Sequence, residues 1–289
     1  MPLQYQRDQP SMAPDMEILN IGNELLIGKI PNTNAQWLCK QATSLGITIK
    51  RVTVLPDNVI ETGQAIRETL KRKPQFIVTT GGLGPTFDDK TLETIAKALN
   101  RKLDVNQEAL RMVREKYQMY ASKTGISHVD LTEARVKMAT IPEGAMPINN
   151  PVGTAPAVRV DLEGTILFAL PGVPREMEAI FEETVAPLLK EASAGAAFYE
   201  KSLFVDNIME SVLAPLIDVT MLDNSGVYVK SHPKGEENRP HIEIHLSAME
   251  ANAEDAKEKL RKAAAQLSGL ITRNKGKVYP KEHRSVQSN

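Results

Sequence analysis

The chain has 289 residues, 42% hydrophobic and 25% charged, with a formal net charge of −1 at pH 7. That length suits one large domain plus a smaller one, with enough chain to bury a sizeable core. The balanced charge gives no electrostatic footprint for nucleic acid or an anionic membrane, and 4% aromatic residues leave few platforms for stacked bases.

A single cysteine, Cys39, excludes an intrachain disulfide or a thiolate metal cluster and suits a reducing, cytoplasmic setting. Among helical neighbours it reads as a small core residue. Residues 1–15 carry three prolines and no apolar segment, so they read as a flexible N-terminal tail rather than a signal peptide. No apolar run approaches the roughly 20 residues needed to span a bilayer.

Met16–Ile21 is a short apolar strand, followed by a turn at Gly22-Asn23-Glu24. A helix opens at Asn32-Thr33-Asn34 with Thr33 as its cap, carries Ala35, Leu38, Ala42 and Leu45 on one stripe, and stops at Gly46. Ile47–Leu55 is a β-branched strand, and Asn58 with Glu61 caps a helix to about Lys71. Phe76–Thr80 is a five-residue apolar strand of the buried parallel type. Helices follow from about Thr91 and over Gln107–Lys123. Residues 124–156 are mostly loop, with a short helix near Glu133–Ala139. Val158–Val160 and Ile166–Leu170 form a hairpin, and a helix runs from Arg175 to Leu189.

Strands alternating with helices predict an α/β fold for residues 16–190, a doubly wound and mostly parallel sheet with one antiparallel part. Lys190–Ala197, rich in alanine, glycine and serine, reads as a linker. Residues 198–272 then give a small α+β domain, and 273–289 a loose polar tail.

Open parallel sheets bind ligands at the carboxyl ends of their strands. There the segment Gly81-Gly82-Leu83-Gly84-Pro85-Thr86 follows directly on a strand. Glycines let backbone N–H groups close around an anion. No Gly-Lys-Ser/Thr closes the segment, so it is not a Walker loop, and the glycine spacing is not a dinucleotide fingerprint. Asp88 and Asp89 come next. Two carboxylates beside phosphate repel it unless a hard cation such as Mg²⁺ intervenes, so Asp88 and Asp89 are candidate metal ligands. Taken alone, the same residues are equally a tight turn with an N-capping Asp. Asp57 ends the preceding strand on the same edge of the sheet.

Five segments together resemble a known family: Asn20–Gly28 (NIGNELLIG), Asn32-Thr33-Asn34, Gly81–Asp89 (GGLGPTFDD), Asn150–Pro156 (NPVGTAP) and Pro171–Met177 (PGVPREM). They look like the CinA-type branch of the molybdopterin-binding-domain family, which also resembles MoaB, MogA and the front half of eukaryotic FAD synthases. The likeness is strong over residues 16–190 and weaker beyond. It implies binding of a phosphate-bearing small molecule, either a pterin phosphate or ADP-ribose and related nucleotides such as FAD and NAD. For the CinA type it implies divalent-metal-dependent pyrophosphate hydrolysis. On that basis Asp89, Asp88 and Asp57 are candidate catalytic residues. Gly81, Gly82, Leu83, Gly84, Thr86, Glu24, Asn34, Asn150, Gly153, Thr154, Pro171 and Gly172 are candidate ligand-binding residues. The alternative is non-catalytic binding or transfer of a pterin phosphate in molybdenum-cofactor synthesis. Full-length CinA has a further C-terminal deamidase; the 289 residues leave no segment for it, so deamidase activity is not expected. A symmetric homo-oligomer is the default assembly. Ala157 stands where the family usually has Gly, which costs about 1 kcal/mol if φ is positive there.

In the smaller domain His241, Glu243 and His245 alternate along one strand and share a face. They read as an exposed polar face, with a zinc site as the less favoured reading. A KH-type nucleic-acid module is not expected, because its GxxG clamp is missing.

Overall fold

The computed structural model of the chain describes residues 14–124, 130–234 and 241–280. In chain order the first elements are β1 (Asp15–Ile21), α1 (Asn23–Leu26), α2 (Thr33–Ser44), β2 (Thr48–Leu55), α3 (Val59–Lys71), β3 (Phe76–Thr80) and α4 (Thr91–Ala98). Then come β4 (Leu103–Val105), α5 (Gln107–Thr124), α6 (Glu133–Lys137), β5 (Thr140–Pro142), β6 (Met146–Ile148), β7 (Ala157–Leu162), β8 (Thr165–Leu170) and α7 (Pro174–Ile180). A π-helical turn over Phe181–Val185 leads into α8 (Ala186–Ala192), and β9 (Ala197–Asp206), α9 (Glu210–Asp223), β10 (Val227–Pro233), β11 (His241–Glu250), α10 (Ala253–Arg273) and β12 (Lys277–Tyr279) complete the described chain. Two compact units result, one ending at Ser193 and the other beginning at Ala194, with Ser44–Gly46 assigned to the second.

The larger unit holds a six-stranded sheet in the order β2-β1-β3-β8-β7-β6. β2, β1, β3 and β8 run parallel; β7 pairs antiparallel with β8, and β6 pairs antiparallel with β7. Strand β3 is buried along all five residues, because sequence-adjacent side chains point to opposite faces and both faces are covered. One face carries Leu19, Ile21, Ile77, Leu167 and Ala169 against Ile66 of α3, Ile95 of α4 and Val113 of α5. On the other, Met16, Ile18, Phe76, Val78 and Phe168 are buried, and Trp37 of α2 meets Phe181 edge-on at 5.2 Å.

Several local expectations need correction. Asn32, not Thr33, caps α2: its Oδ1 accepts from Ala35 N at 3.1 Å. Gly22-Asn23-Glu24 leads into a one-turn helix rather than a plain turn. The helix expected from Arg175 to Leu189 is broken by a π turn just ahead of Pro187, whose missing N–H cannot serve an i→i−4 bond. The stretch read as a linker over 190–197 is shorter, since α8 runs to Ala192 and β9 begins at Ala197. Ala157 starts β7 and is not among the residues with positive φ, so it carries no left-handed strain.

The smaller unit is an antiparallel sheet in the order β10-β11-β9-β12, with α9 and α10 contributing to its core. Residues 273–289 are not loose throughout: α10 extends to Arg273, and Lys277–Tyr279 add an edge strand beside β9. Ile242, Ile244 and Leu246 face the core, and the histidine face is outside it. His241 pairs with Asp206 at 2.6 Å, His245 with Glu200 at 2.9 Å, and Glu243 takes Lys234 and Ser202, both at 2.7 Å. The Lys234 ammonium and the Ser202 hydroxyl together hold the Glu243 carboxyl below its ordinary pKa.

Candidate functional site

The glycine loop leaves β3 at the carboxyl end of the parallel strands. Gly81 N donates to Leu170 O at 3.0 Å, continuing the sheet, so that amide is committed. Thr91, the first residue of α4, holds the next two carbonyls: its Oγ1 donates to Gly81 O at 2.8 Å and its N to Gly82 O at 3.1 Å. With both carbonyls turned toward α4, the N–H groups of Gly82, Leu83 and Gly84 have no partner among the described residues. That leaves three donors for an anion. Gly81 therefore shapes the loop through its amide while also lining the cavity beside it.

The two glycines are required sterically. Their φ values are +99° and +67°. A Cβ at Gly81 would lie 2.2 Å from Ile21 O, and one at Gly82 2.3 Å from Thr91 Oγ1.

The acidic pair closes the loop through Thr86. Asp89 Oδ2 accepts from Thr86 N at 2.8 Å and lies 2.6 Å from Thr86 Oγ1, and the same hydroxyl also meets Asp88 Oδ1. One hydroxyl has one proton, so it donates to only one of the two carboxylates at a time. Lys137 of α6 donates its ammonium to Thr86 O. The Thr86 hydrogen bond, then the backbone of Asp88 itself and the nearby Lys137 and Lys90 charges, hold the Asp88 carboxyl below its ordinary pKa. Gly84 is needed here too, since a Cβ would fall 2.6 Å from Asp89 Oδ2.

Three further segments reach the same edge. Asp57, two residues past the end of β2, accepts from Asn23 N through Oδ2 at 2.9 Å, and its own N donates to Asn23 Oδ1 at 3.3 Å. This clasp fixes α1 and with it Glu24. Asn34 Nδ2 donates to Gly172 O at 2.8 Å, tying α2 to the loop after β8. Gly172 packs tightly on the glycine loop, as a Cβ would approach Gly81 Cα to 3.2 Å.

Asn150 is 2% exposed and bonded inside its own loop. Its Nδ2 donates to Ala155 O at 2.9 Å and to Glu176 Oε2 at 2.6 Å; its Oδ1 accepts from Val152 N at 3.1 Å and Gly153 N at 2.7 Å. Gly153 packs so closely on Glu176 that a Cβ would lie 2.0 Å from Oε2. Asn150 and Gly153 thus build the loop that presents Thr154, and do not themselves line the cavity.

The assembled cavity has a volume of about 370 Å³. Of the residues expected from sequence, Glu24, Asp57, Gly81, Gly82, Leu83, Gly84, Asp88, Asp89, Thr154, Pro171 and Gly172 line it. Thr86 and Asn34 do not. Thr86 acts on the two aspartates, and Asn34 lines a separate space of about 70 Å³ beside Thr80 and Pro174. Sequence reasoning missed Met138, Val173 and above all Glu176, which sits in the first turn of α7 directly after the Pro171–Pro174 turn. Position alone could have flagged it, as a carboxylate one turn past a strand end. Among the described residues five carboxylates line the cavity, from Glu24, Asp57, Asp88, Asp89 and Glu176, and no Lys, Arg or His does. Among the described residues no three His, Cys, Asp or Glu side chains are grouped to hold a metal by themselves.

Comparison with known proteins gives the family. The chain belongs to the family described as "probable molybdopterin binding domain", whose model matches residues 17–191. It is 46% identical over 259 residues to a protein of Pyrobaculum calidifontis, covering 89% of this chain and 96% of that one. A protein of Sulfurisphaera tokodaii is 40% identical over 255 residues, covering 88% of this chain and 94% of its own length. Among solved structures, a CinA protein of Thermoplasma acidophilum, titled as of unknown function, is 38% identical with a TM-score of 0.56, covering 61% of this chain and 99% of that one. The CinA-type resemblance read from the five segments thus holds. No helix among the described residues is long and apolar enough to cross a membrane.

Proposed function

We propose that the protein is a divalent-metal-dependent pyrophosphohydrolase acting on ADP-ribose or a related nucleotide diphosphate such as FAD or NAD. One observation carries this reading: among the described residues, three unpaired loop amides adjoin a cavity lined by five carboxylates and no cationic side chain. A pyrophosphate can use those amides only if its charge is offset there.

Asp88 and Asp89 supply hard oxygen donors gathered around one hydroxyl. Mg²⁺ is typically held by one or two carboxylates plus substrate phosphates, so this pair fits it. Bound there, the cation would neutralise the pyrophosphate and polarise its oxygens.

The protein's own residues do the rest. The Gly82, Leu83 and Gly84 amides hold the phosphate oxygens and fix the bridge relative to the carboxylates. Asp57, whose Oδ2 is engaged by Asn23, orients a water with its other oxygen and takes its proton. The water oxygen bonds to one phosphorus, the bridging P–O bond breaks, and the bridging oxygen leaves on the other phosphate. ADP-ribose would give AMP and ribose 5-phosphate.

The family description favours a second reading, binding of a pterin phosphate without hydrolysis. Incubation of the purified protein with Mg²⁺ and ADP-ribose, FAD or NAD decides between them. AMP release that is abolished by chelator is expected. No turnover of any of the three above blank removes the hydrolase reading in favour of the binding one.

A further inference from the structure

A second cavity of about 400 Å³ lies against the same glycine loop. It shares Gly82, Leu83, Gly84 and Asp89 with the acidic cavity, so the loop forms a common wall. Its lining is more apolar. Leu83, Leu92 of α4, Leu103 of β4, Leu131, and Val136 of α6 supply an apolar stretch, and Lys137, Thr140 and the Asp89, Glu93 and Glu133 carboxylates complete the lining. Leu83 and Leu92 are buried while the other apolar residues are half-exposed, so the space opens outward from an apolar floor. The apolar stretch accepts a flat ring, and carboxylates beside it can accept hydrogen bonds from the ring's amino or N–H groups.

We propose that this second cavity is the subsite for the planar nitrogen heterocycle of a ligand whose pyrophosphate rests on the shared loop. The inference rests on the function proposed above and extends it: the protein takes two-armed ligands, with the heterocycle on the apolar side of the loop and the sugar or second arm on the acidic side. The unpaired amides of Gly82, Leu83 and Gly84 lie at the boundary between the two cavities, where the bridge of such a ligand has to sit. Lys137 holds the loop by its bond to Thr86 O while lining the ring subsite, so it sits where ring and phosphate meet. The purine of ADP-ribose and the ring of a pterin phosphate share this chemistry.

The test is calorimetric titration of the full chain and of Val136→Trp, which fills the apolar cavity, with ADP-ribose and with inorganic pyrophosphate, which has no ring. Val136→Trp is expected to weaken ADP-ribose by about tenfold or more and leave pyrophosphate within about twofold. Photolabelling of the unsubstituted protein with 2-azido-ADP is expected to mark peptides containing Leu92, Leu103 or Leu131–Val136. Unchanged ADP-ribose affinity, equal weakening of both ligands, or label elsewhere in the chain overturns the ring subsite while leaving the proposed hydrolase intact. No binding of ADP-ribose, FAD or NAD by the native chain overturns both.

Discussion

Thr91 Oγ1 donates to Gly81 O at 2.8 Å while standing where a Cβ on Gly82 would have to go. Helix α4 and the glycine loop are thus mutually exclusive with any side chain at Gly82. Gly82→Ala should lower the thermal midpoint, from left-handed strain of about 1 kcal/mol plus the clash. Combining it with Thr91→Ala should cost less than the two single changes added together, because the clashing oxygen has gone. Thermal unfolding of the four proteins measures this; strict additivity would mean that the loop and α4 are not coupled.

Asp89→Asn keeps an oxygen for Thr86 N and removes the charge. It should lower AMP release from ADP-ribose by about a hundredfold or more, as loss of a group acting on the transition state does. Binding of ADP-ribose without metal should be unchanged or tighter, since one repulsive charge has gone. Kinetics with Mg²⁺ and calorimetry with chelator separate the two effects. A loss of metal-free binding would make Asp89 a structural or direct ligand contact instead.

Thr86→Val removes the leading cause of the lowered Asp88 pKa. Carbon-detected NMR titration should show the Asp88 carboxyl rising toward its ordinary value. The sign for stability follows. A carboxyl depressed in the folded state stabilises it above the unfolded pKa and loses that contribution as pH falls through the folded value. The substitution should therefore reduce stability at neutral pH and leave it less changed in acid.

Asn150→Asp places a second carboxylate where Nδ2 now meets Glu176 Oε2 at 2.6 Å. Like charges raise the pKa of the pair in the folded state. Such a variant is at its best in acid, below the ordinary carboxylate range, and loses stability as pH rises through the raised value. Asn150→Ala should instead cost about 1–3 kcal/mol with little pH dependence, by leaving buried groups unpaired. Denaturant unfolding at pH 4 and pH 8 distinguishes them.

Much of the site was legible because strand ends and glycines announce themselves locally. Phe76–Thr80 is too short and too apolar to be anything but a buried strand, and the loop that follows it had to lie at the sheet edge. Asn58 caps α3 as its spacing with Glu61 indicates. What stayed hidden depends on distant partners. The three-residue strands β4 and β5 are too short to show a period and exist only by pairing with each other. Thr91 reads as a helix start, and nothing near it in sequence says that it fixes two carbonyls of the glycine loop. Glu176 and Asn150 are 26 positions apart, and only the fold makes them neighbours. The pairing of the Gly81 amide with Leu170 likewise depends on another strand.

The pairing of β3 with β8 joins Phe76–Thr80 to Ile166–Leu170, with α4, α5, α6 and four further strands between them. Contacts so far apart along the chain close late and slow a fold down. Synthesis delivers the glycine loop early and its far wall, from Thr154 to Glu176, much later. A ribosome-bound chain that has emerged only through α5 therefore carries the motif without the cavity. Ligand added during translation should begin to protect the chain from protease only once β8 and α7 have cleared the exit tunnel.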